Sequence, residues 1–461
     1  MPRSAGRLMH PLGEILYAAM LSLTSVEGYK VIRDSVHGSV RVDSPFLPLM
    51  ESNELQRLHG VHQLGLANLV YPGANHTRLE HSLGAFSVAD RMSASLRLKE
   101  DEAAIVKCAA LLHDIGHLPY SHTFEMVLHE QFGIDHVEIS KRLVLGQDTV
   151  VSEEESAVLG EELRVVDALE RQGIDPKVVS ALLTGAARDE QEQKTLGGHR
   201  GQAHFNDRRY LGQMICGPVD VDQLDYLMRD AHYTGVAYGV IDLDRLMDTV
   251  GVFNGDLVVG KGGASAVEGM LVARALMFST VYYHKTVRIA ELMLAKAVEM
   301  LDSDDIEAVF KMTDSSLLSH LVSQGGYSRE VATRIKYRRL FKKAFAIAAQ
   351  DVEDNQWDAV EEMGDFKKRR RLEEDIAAKA GIDPGHVVID IPSHELPVSE
   401  PRMSLMDIRI VDGDKVRLLP RVSSITQSLQ SRRVYEWAVM VACPADCIER
   451  VARAAQKLIA L

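Results

Sequence analysis

A chain of 461 residues, 46% hydrophobic and 26% charged, can bury a large core and hold two or three domains. Its formal net charge of -14 speaks against a coat for nucleic acid, although a local basic site stays open. The four cysteines, Cys108, Cys216, Cys443 and Cys447, form no CxxC pair, which gives neither a disulfide framework nor a structural zinc site and suits a reducing compartment, here the cytoplasm.

Residues 1–28 read as a leader. Their apolar run 15–23 follows Glu14 closely and lacks a small-residue cleavage pattern, so a signal peptide is not expected. No segment has the apolar length to span a bilayer. Residues 29–42 (YKVIRDSVHGSVRV) alternate around His37-Gly38 as a β-hairpin does. From Leu47 the period becomes helical through Leu55, Leu58, Val61 and Leu64. Tyr71-Pro72-Gly73 punctuates the chain, and a helix from about Thr77 places Arg78, His81 and Ala85 on one face.

Residues 103–112 are apolar except Lys107, which predicts a helix buried nearly all round. It ends at His113-Asp114; Gly116 and Pro119 then stop it while His117 and His122 follow. The helical pattern resumes from Phe124 to Leu145 and contains His136. Residues 151–185 predict two further helices, and the polar, Gly-containing stretch 185–209 a mobile loop. In 219–231 (VDVDQLDYLMRDA), Asp222, Tyr226 and Asp230 recur every four residues along one helix face, as a solvent-exposed ladder also would.

A short strand is expected at 257–260 and one long helix over 267–301, in which Arg274, Phe278 and Tyr282 again repeat every four residues. Beyond residue 303 the texture changes. The basic stretches 334–343 and 367–371 read as solvated helix faces, with an anion site as the alternative. Strands are expected at 387–391, 407–410 and 437–441, and an amphipathic closing helix at 446–461. The expected organisation is mostly α: a leader (1–28), an all-helical core with a short N-terminal hairpin (29–305), a helical charged connecting segment (306–380) and a small α+β module (381–461).

Nine of the eighteen histidines fall between His59 and His136, which directs attention to that stretch. Burying an imidazole and a carboxylate without partners costs several kcal/mol. A metal ion compensates both, since neutral imidazole and carboxylate are its natural ligands. Histidines satisfied by backbone at a helix end are the plainer alternative for any one of them. Neither HExxH nor a Walker GxxxxGK[ST] stretch is present, which removes the zincin and P-loop readings.

Six segments carry a resemblance: DSVHG, LQRLHGVHQLG, YPGANHTRLEHSLG, HDIGHLPYSH, VDVDQLDYLMRD and YYHK. In order and spacing the chain resembles the HD-domain phosphohydrolases. Within them it is most similar to the deoxynucleoside triphosphate triphosphohydrolases related to the mammalian protein that joins a sterile alpha motif to an HD domain. The resemblance implies one divalent ion (Mn, Fe, Co, Ni, Zn or Mg) held by His81, His113, Asp114 and Asp222. It makes His117, His122 and His136 the active-site histidines, with Glu125 behind them where relatives carry Asp, and Arg78 a phosphate contact. It assigns Gln63 and Leu64, with Tyr226, Asp230, Arg274 and Tyr282, to the sugar and base, Leu64 and Tyr282 leaving no room for a 2'-hydroxyl.

Gln223 stands where the mammalian relative has a phosphate-contacting lysine. At the guanine-activator site of regulated relatives the matching residues are Glu51, Gln56 and His59, the last replacing an arginine, while Arg338 and Lys342 match nearby basic residues. The implied activity is hydrolysis of a dNTP to deoxynucleoside and triphosphate by a dimer or tetramer of this chain, with nucleic-acid binding not favoured. A phosphodiesterase or exonuclease, or a nucleotide sensor with vestigial catalysis, are the competing readings.

Overall fold

The alternating N-terminal stretch pairs as an antiparallel hairpin, β1 (Tyr29–Asp34) and β2 (Gly38–Asp43), with Asp34 opposite Gly38. The structure, a computed structural model, describes residues 28–124, 133–160, 163–185, 208–302, 308–392, 408–430 and 435–459. The expected leader therefore lies outside the described residues, as do 186–207 of the expected mobile loop.

Short helical turns between Ser44 and Gly60 bury Leu49, Leu55 and Leu58. α1 (Arg78–Leu96) starts where Thr77 and Glu80 form a reciprocal capping box that satisfies the first-turn amides. α2 (Glu100–Leu112) opens on three acidic residues that suit the positive end of its dipole. Its end, 108–112, is fully buried while 103–105 and Lys107 are half-buried, so one edge of the helix stays partly open. α3 (His136–Val144) begins at His136 itself, capped by Asp135, so the helix expected from Phe124 to Leu145 is broken at 133–135; its part 125–132 lies outside the described residues, and Phe124 ends a 3-10 turn, Ser121–Phe124. Residues 151–185 form three helices where two were expected, because Gly160 and Gly173 adopt left-handed φ values that end the first two.

α4 (Val221–Thr234) packs against α1, which packs against α2 on its other side. β3 (Val250–Phe253) and β4 (Asp256–Gly260) form a second hairpin, only half of which the sequence announced. The long helix expected over 267–301 is two, α5 (Ala264–Met277) and α6 (Lys285–Glu299). A π-helical turn, Phe278–Tyr282, and the extended His284 between them interrupt an apolar run that has no Gly or Pro to betray the break. The helical stretch Lys261–Tyr282 is long and apolar enough to cross a membrane, and half of its most apolar window is buried.

α7 (Asp314–Gln324) and α8 (Gly326–Lys336) follow, then β5 (Lys342–Ala348), a strand inside the segment expected to be helical. Its residues alternate too weakly to announce a strand; pairing with β9 decides it. α9 (Phe366–Ala380) carries the 367–371 basic run, of which Arg369 is buried rather than solvated. β6 (Val388–Asp390), β7 (Arg409–Asp412), β8 (Lys415–Leu418), β9 (Trp437–Cys443) and α10 (Ile448–Leu458) complete the chain.

Two sheets result. β5, β9 and β6 are antiparallel around β9, every residue of which is buried, with α9 and α10 contributing to its apolar core. β7 does not join them. It runs parallel to β4, in the sheet β3-β4-β7-β8, and so returns the C-terminal region to the helical core. The fold is mostly helical, with the short N-terminal hairpin and a small strand-containing C-terminal region.

Candidate metal centre

Three helices each bring a donor to one point. His81 lies in the first turn of α1, His113 and Asp114 directly follow α2, and Asp222 sits in the first turn of α4. His81 Nε2 is 3.1 Å from His113 Nε2 and 2.9 Å from Asp222 Oδ1. His113 Nε2 is 3.3 Å from Asp114 Oδ1 and 3.6 Å from Asp222 Oδ1, and His81 Nε2 is 3.7 Å from Asp114 Oδ2.

The ring protons are fixed from behind. His113 Nδ1 is 2.8 Å from the Ala110 carbonyl, which only accepts, so Nδ1 carries the proton and Nε2 presents a lone pair. His81 Nδ1 likewise faces Asp225 Oδ2 at 2.7 Å. Two nitrogen lone pairs and two carboxylates thus converge with no donor between them, which only a positive charge resolves. Their separations match the edges of a coordination shell with metal–ligand bonds of about 2.0–2.2 Å. The residues fit a divalent cation; their mixed N/O character does not select one.

The electrostatics show the same demand for positive charge, met by protons on the two rings where no ion meets it. Burial disfavours a charged His81, yet Asp222 and Asp225 drive its pKa up to about 10. His113 is raised too, against burial, with Asp114 the largest favourable influence. Asp114 and Asp222 stay well below the usual carboxylate range despite burial, the first through Arg78 and His113, the second through His113 and His81.

Asp225, which no motif reasoning singled out, organises the rear of the site. It is fully buried and meets His81 Nδ1, His37 Nε2 at 2.6 Å, and Arg229 Nε at 2.8 Å. Arg229 Nη1 continues to Asp34 Oδ2 at 2.8 Å, and Asp34 Oδ1 accepts the amides of Val36 and His37. The DSVHG turn of the hairpin is thereby docked onto the metal centre. A Cβ on Gly84 would lie 1.9 Å from Asp225 Oδ1, so only glycine lets α4 come this close to α1. The available signal was an Asp and an Arg four apart on α4, with the Asp three residues after Asp222 and so beside the ladder.

On the other flank, His117 Nε2 is 3.2 Å from Asp114 Oδ1, and its ring stacks on His136 with centroids 3.9 Å apart. Burial, the Arg78 guanidinium and His136 together hold His117 well below the usual histidine range, so it is neutral at working pH. Arg78 pairs with Asp114 Oδ2 and donates from Nε to Ser121 Oγ at 2.8 Å. Ser121 and Tyr120 both have left-handed backbone, φ +55° and +57°, at a cost of about 1–2 kcal/mol each. A Cβ on Gly116 would lie 2.3 Å from the His136 carbonyl, which explains the glycine after His-Asp-Ile. The side chain of His122 and all of Glu125 lie outside the described residues.

The sugar–base candidates gather along α4. Tyr282 Oη donates to Asp230 Oδ2 at 2.6 Å, His76 Nε2 meets Asp230 Oδ1 at 2.8 Å, and the Tyr226 and Tyr282 rings meet edge-on at 6.3 Å. Arg274 Nη1 donates to Gln223 Oε1 at 3.1 Å, so the residue that replaces the lysine holds an arginine instead. Gln63 is buried and Leu64 half-buried.

The regulatory candidates are not brought together by any hydrogen bond or ion pair among the described residues. Glu51 pairs with Lys30, Gln56 Nε2 donates to the Met50 carbonyl, Arg338 Nε donates to the Leu69 carbonyl, and His59 and Lys342 are exposed.

Comparison with known proteins adds the following. Residues 78–167 match the family model of the HD domain, and residues 241–461 that of the HD associated region. An uncharacterized protein of Methanocaldococcus jannaschii is 32% identical over 432 residues, covering 92% of this chain and 81% of that protein. The deoxynucleoside triphosphate triphosphohydrolase SAMHD1 of Homo sapiens is 26% identical over 371 residues, 71% of this chain and 56% of that protein. A solved phosphohydrolase from Bacteroides thetaiotaomicron shares the fold, with a TM-score of 0.64 at 24% identity over 90% of this chain and 99% of that one.

Proposed function

Because the chain belongs to the HD-domain phosphohydrolase family, we propose that it hydrolyses deoxynucleoside triphosphates to deoxynucleoside and triphosphate. One observation carries the reading: Asp222, Tyr226 and Asp230 occupy successive turns of α4, so one helix presents both a metal ligand and a sugar-facing wall.

A divalent ion held by His81, His113, Asp114 and Asp222 would neutralise phosphate charge and make hydroxide available near neutrality. Arg78, already beside Asp114, faces the phosphates, and Arg274 lies with the sugar and base residues. His117 is uncharged, so it orients water and is not the acid. Protonation of the departing 5'-oxygen falls to His136 or His122, with Glu125 steadying the ring. Asp230, held by Tyr282 and His76, takes the 3'-hydroxyl, and Gln63 the base edge, while Leu64 and Tyr282 close the space a 2'-hydroxyl would need.

The test is chromatographic product analysis with dGTP and GTP on metal-loaded protein. Deoxyguanosine plus triphosphate from dGTP, with GTP hydrolysed poorly and Tyr282→Ala narrowing the gap, is the expected result. Equal rates on the two nucleotides overturn the deoxyribose assignment.

Control by a guanine nucleotide is proposed to be weak. His59 offers one donor where an arginine would fork onto the guanine edge, a pairing that contributes on the order of 1–3 kcal/mol of discrimination. Strong stimulation of dATP hydrolysis by a non-hydrolysable dGTP analogue would refute this. The four free thiols are consistent with a cytoplasmic enzyme, and we expect a homo-oligomer, which light scattering reads directly.

A further inference from the structure

The segment before α7 is stitched to the turn that follows the metal ligands. Arg57 donates from Nη1 to the Met312 carbonyl at 2.9 Å, and from Nη2 to the carbonyls of Ile115 at 3.0 Å and His117 at 2.6 Å. Two residues on, Asp314 is buried and spends both carboxylate oxygens on the site. Oδ1 accepts the Tyr120 amide at 2.7 Å; Oδ2 accepts the His62 amide at 3.0 Å and meets His62 Nδ1. An aspartate at the start of a helix ordinarily serves its own first turn, but here Ser316 Oγ accepts the Thr313 amide and caps α7 without it.

From Asp314 the bonds run without a gap to the metal ligand. Asp314 fixes Tyr120 and His62. Ser121, next to Tyr120, donates to the His62 carbonyl at 2.6 Å and accepts from Arg78 Nε at 2.8 Å, and Arg78 pairs with Asp114. Tyr120 and Ser121 are consecutive non-glycine residues in left-handed conformation, which persists only where the surroundings over-determine it.

We propose that Asp314 is a positioning residue of the hydrolytic site: it holds the Tyr120–Ser121 turn in its left-handed form and thereby sets where Arg78 presents its guanidinium. Asp314 lies beyond the HD domain match, so the region that follows that domain completes the phosphate side of the site. The inference rests on Arg78 being the phosphate ligand proposed above.

The test compares metal-loaded Asp314→Asn, Ser121→Ala and their double variant with Leu317→Ala, a core change on the same helix, and with Arg78→Lys. Each is read for bound metal, thermal midpoint, and kcat and KM on dGTP. Asp314→Asn turns one acceptor oxygen into a donor facing the His62 amide. It should lower kcat roughly 10- to 100-fold, more than it changes KM, with wild-type metal content. Ser121→Ala should add little on top of it, because both cut the same path. Leu317→Ala should lower the thermal midpoint and leave kcat unchanged.

A wild-type kcat for Asp314→Asn, or losses that multiply in the double variant, overturns the proposal. If Arg78→Lys is itself without effect, the assignment of Arg78 fails and the positioning role with it. If Arg78→Lys is impaired and Asp314→Asn is not, the positioning role alone fails. Should Asp314→Asn not fold, Ser121→Ala cuts the same path at the bond to Arg78 and leaves both backbone bonds of Asp314 in place; an unchanged kcat there is equally fatal.

Discussion

Among the described residues, two of the clusters of buried charge are built on opposite principles. Between α6, α9 and the C-terminal sheet, each carboxylate faces a cation. Lys296 Nζ is 2.6 Å from Glu373 and 3.6 Å from Glu299, Arg369 is 3.5 Å from Glu299, and Arg288 Nη2 is 2.8 Å from Asp390. Glu373 Oε1 also accepts from the Ile389 amide and Asp390 Oδ2 from the Trp437 indole, while Glu299 Oε2 has its cation but no hydrogen bond among the described residues. At the candidate metal centre the cations within reach, Arg78 and Arg229, pair with Asp114 Oδ2 and with Asp225 behind His81, and four acceptors still converge. Buried charge alone therefore does not mark a site, since a charge-paired network can be purely structural. An excess of lone pairs over donors does mark one.

Mutation sharpens this contrast. Asp222→Ala removes one of the converging acceptors and has the largest effect: bound metal and hydrolysis should both fall to background. Retention of both by elemental analysis and assay would take Asp222 out of the coordination set. Next come His117→Ala and His136→Ala, which touch the site without supplying the converging lone pairs. Each should reduce kcat by about 10²-fold or more with metal content intact. Loss of metal with either would place that ring inside the coordination shell.

Asp225→Asn is milder. The amide still accepts but no longer draws the His81 proton as strongly, and metal affinity should weaken roughly 10- to 100-fold. A metal titration showing wild-type affinity would reduce Asp225 to a packing role.

What the sequence disclosed follows the same division. Periodicity located α1, α2 and α4, because each buries one continuous apolar face, and the resemblance carried the candidate ligands onto them. The Asp225–Arg229–Asp34 path was not legible, since an ion pair on a helix reads as solvated until another helix covers it. That approach depends on Gly84, whose role shows only when α4 lies against it. The break at His284 was hidden by apolar residues on both sides of a π-helical turn. Strand β7 was visible as a strand but not as a partner of β4, because strand pairing across 150 residues leaves no local trace. The Asp225 path and the β7 pairing concern contacts between distant segments, as does Asp314.

The smallest expected effect belongs to the charge-paired cluster. Burial raises the Glu373 pKa above its ordinary 4.5, with Lys296 and Arg369 offsetting only part of that. The folded state therefore holds this proton more tightly than the unfolded chain does. The stability Glu373 contributes is fully present below pH 4.5 and is lost as pH rises through the higher folded value. Glu373→Gln keeps the shape, including an acceptor for the Ile389 amide, and cannot titrate. The thermal midpoint of wild type minus that of the variant should then decline from below pH 4.5 into the neutral range, by on the order of 1 °C. Metal content and kcat should match wild type at every pH, because no bond of this cluster reaches the converging acceptors. A difference that instead grows with pH would mean that Lys296 holds Glu373 ionised more firmly than burial resists. A change in kcat would mean that the two clusters are coupled, and the distinction between them would not stand.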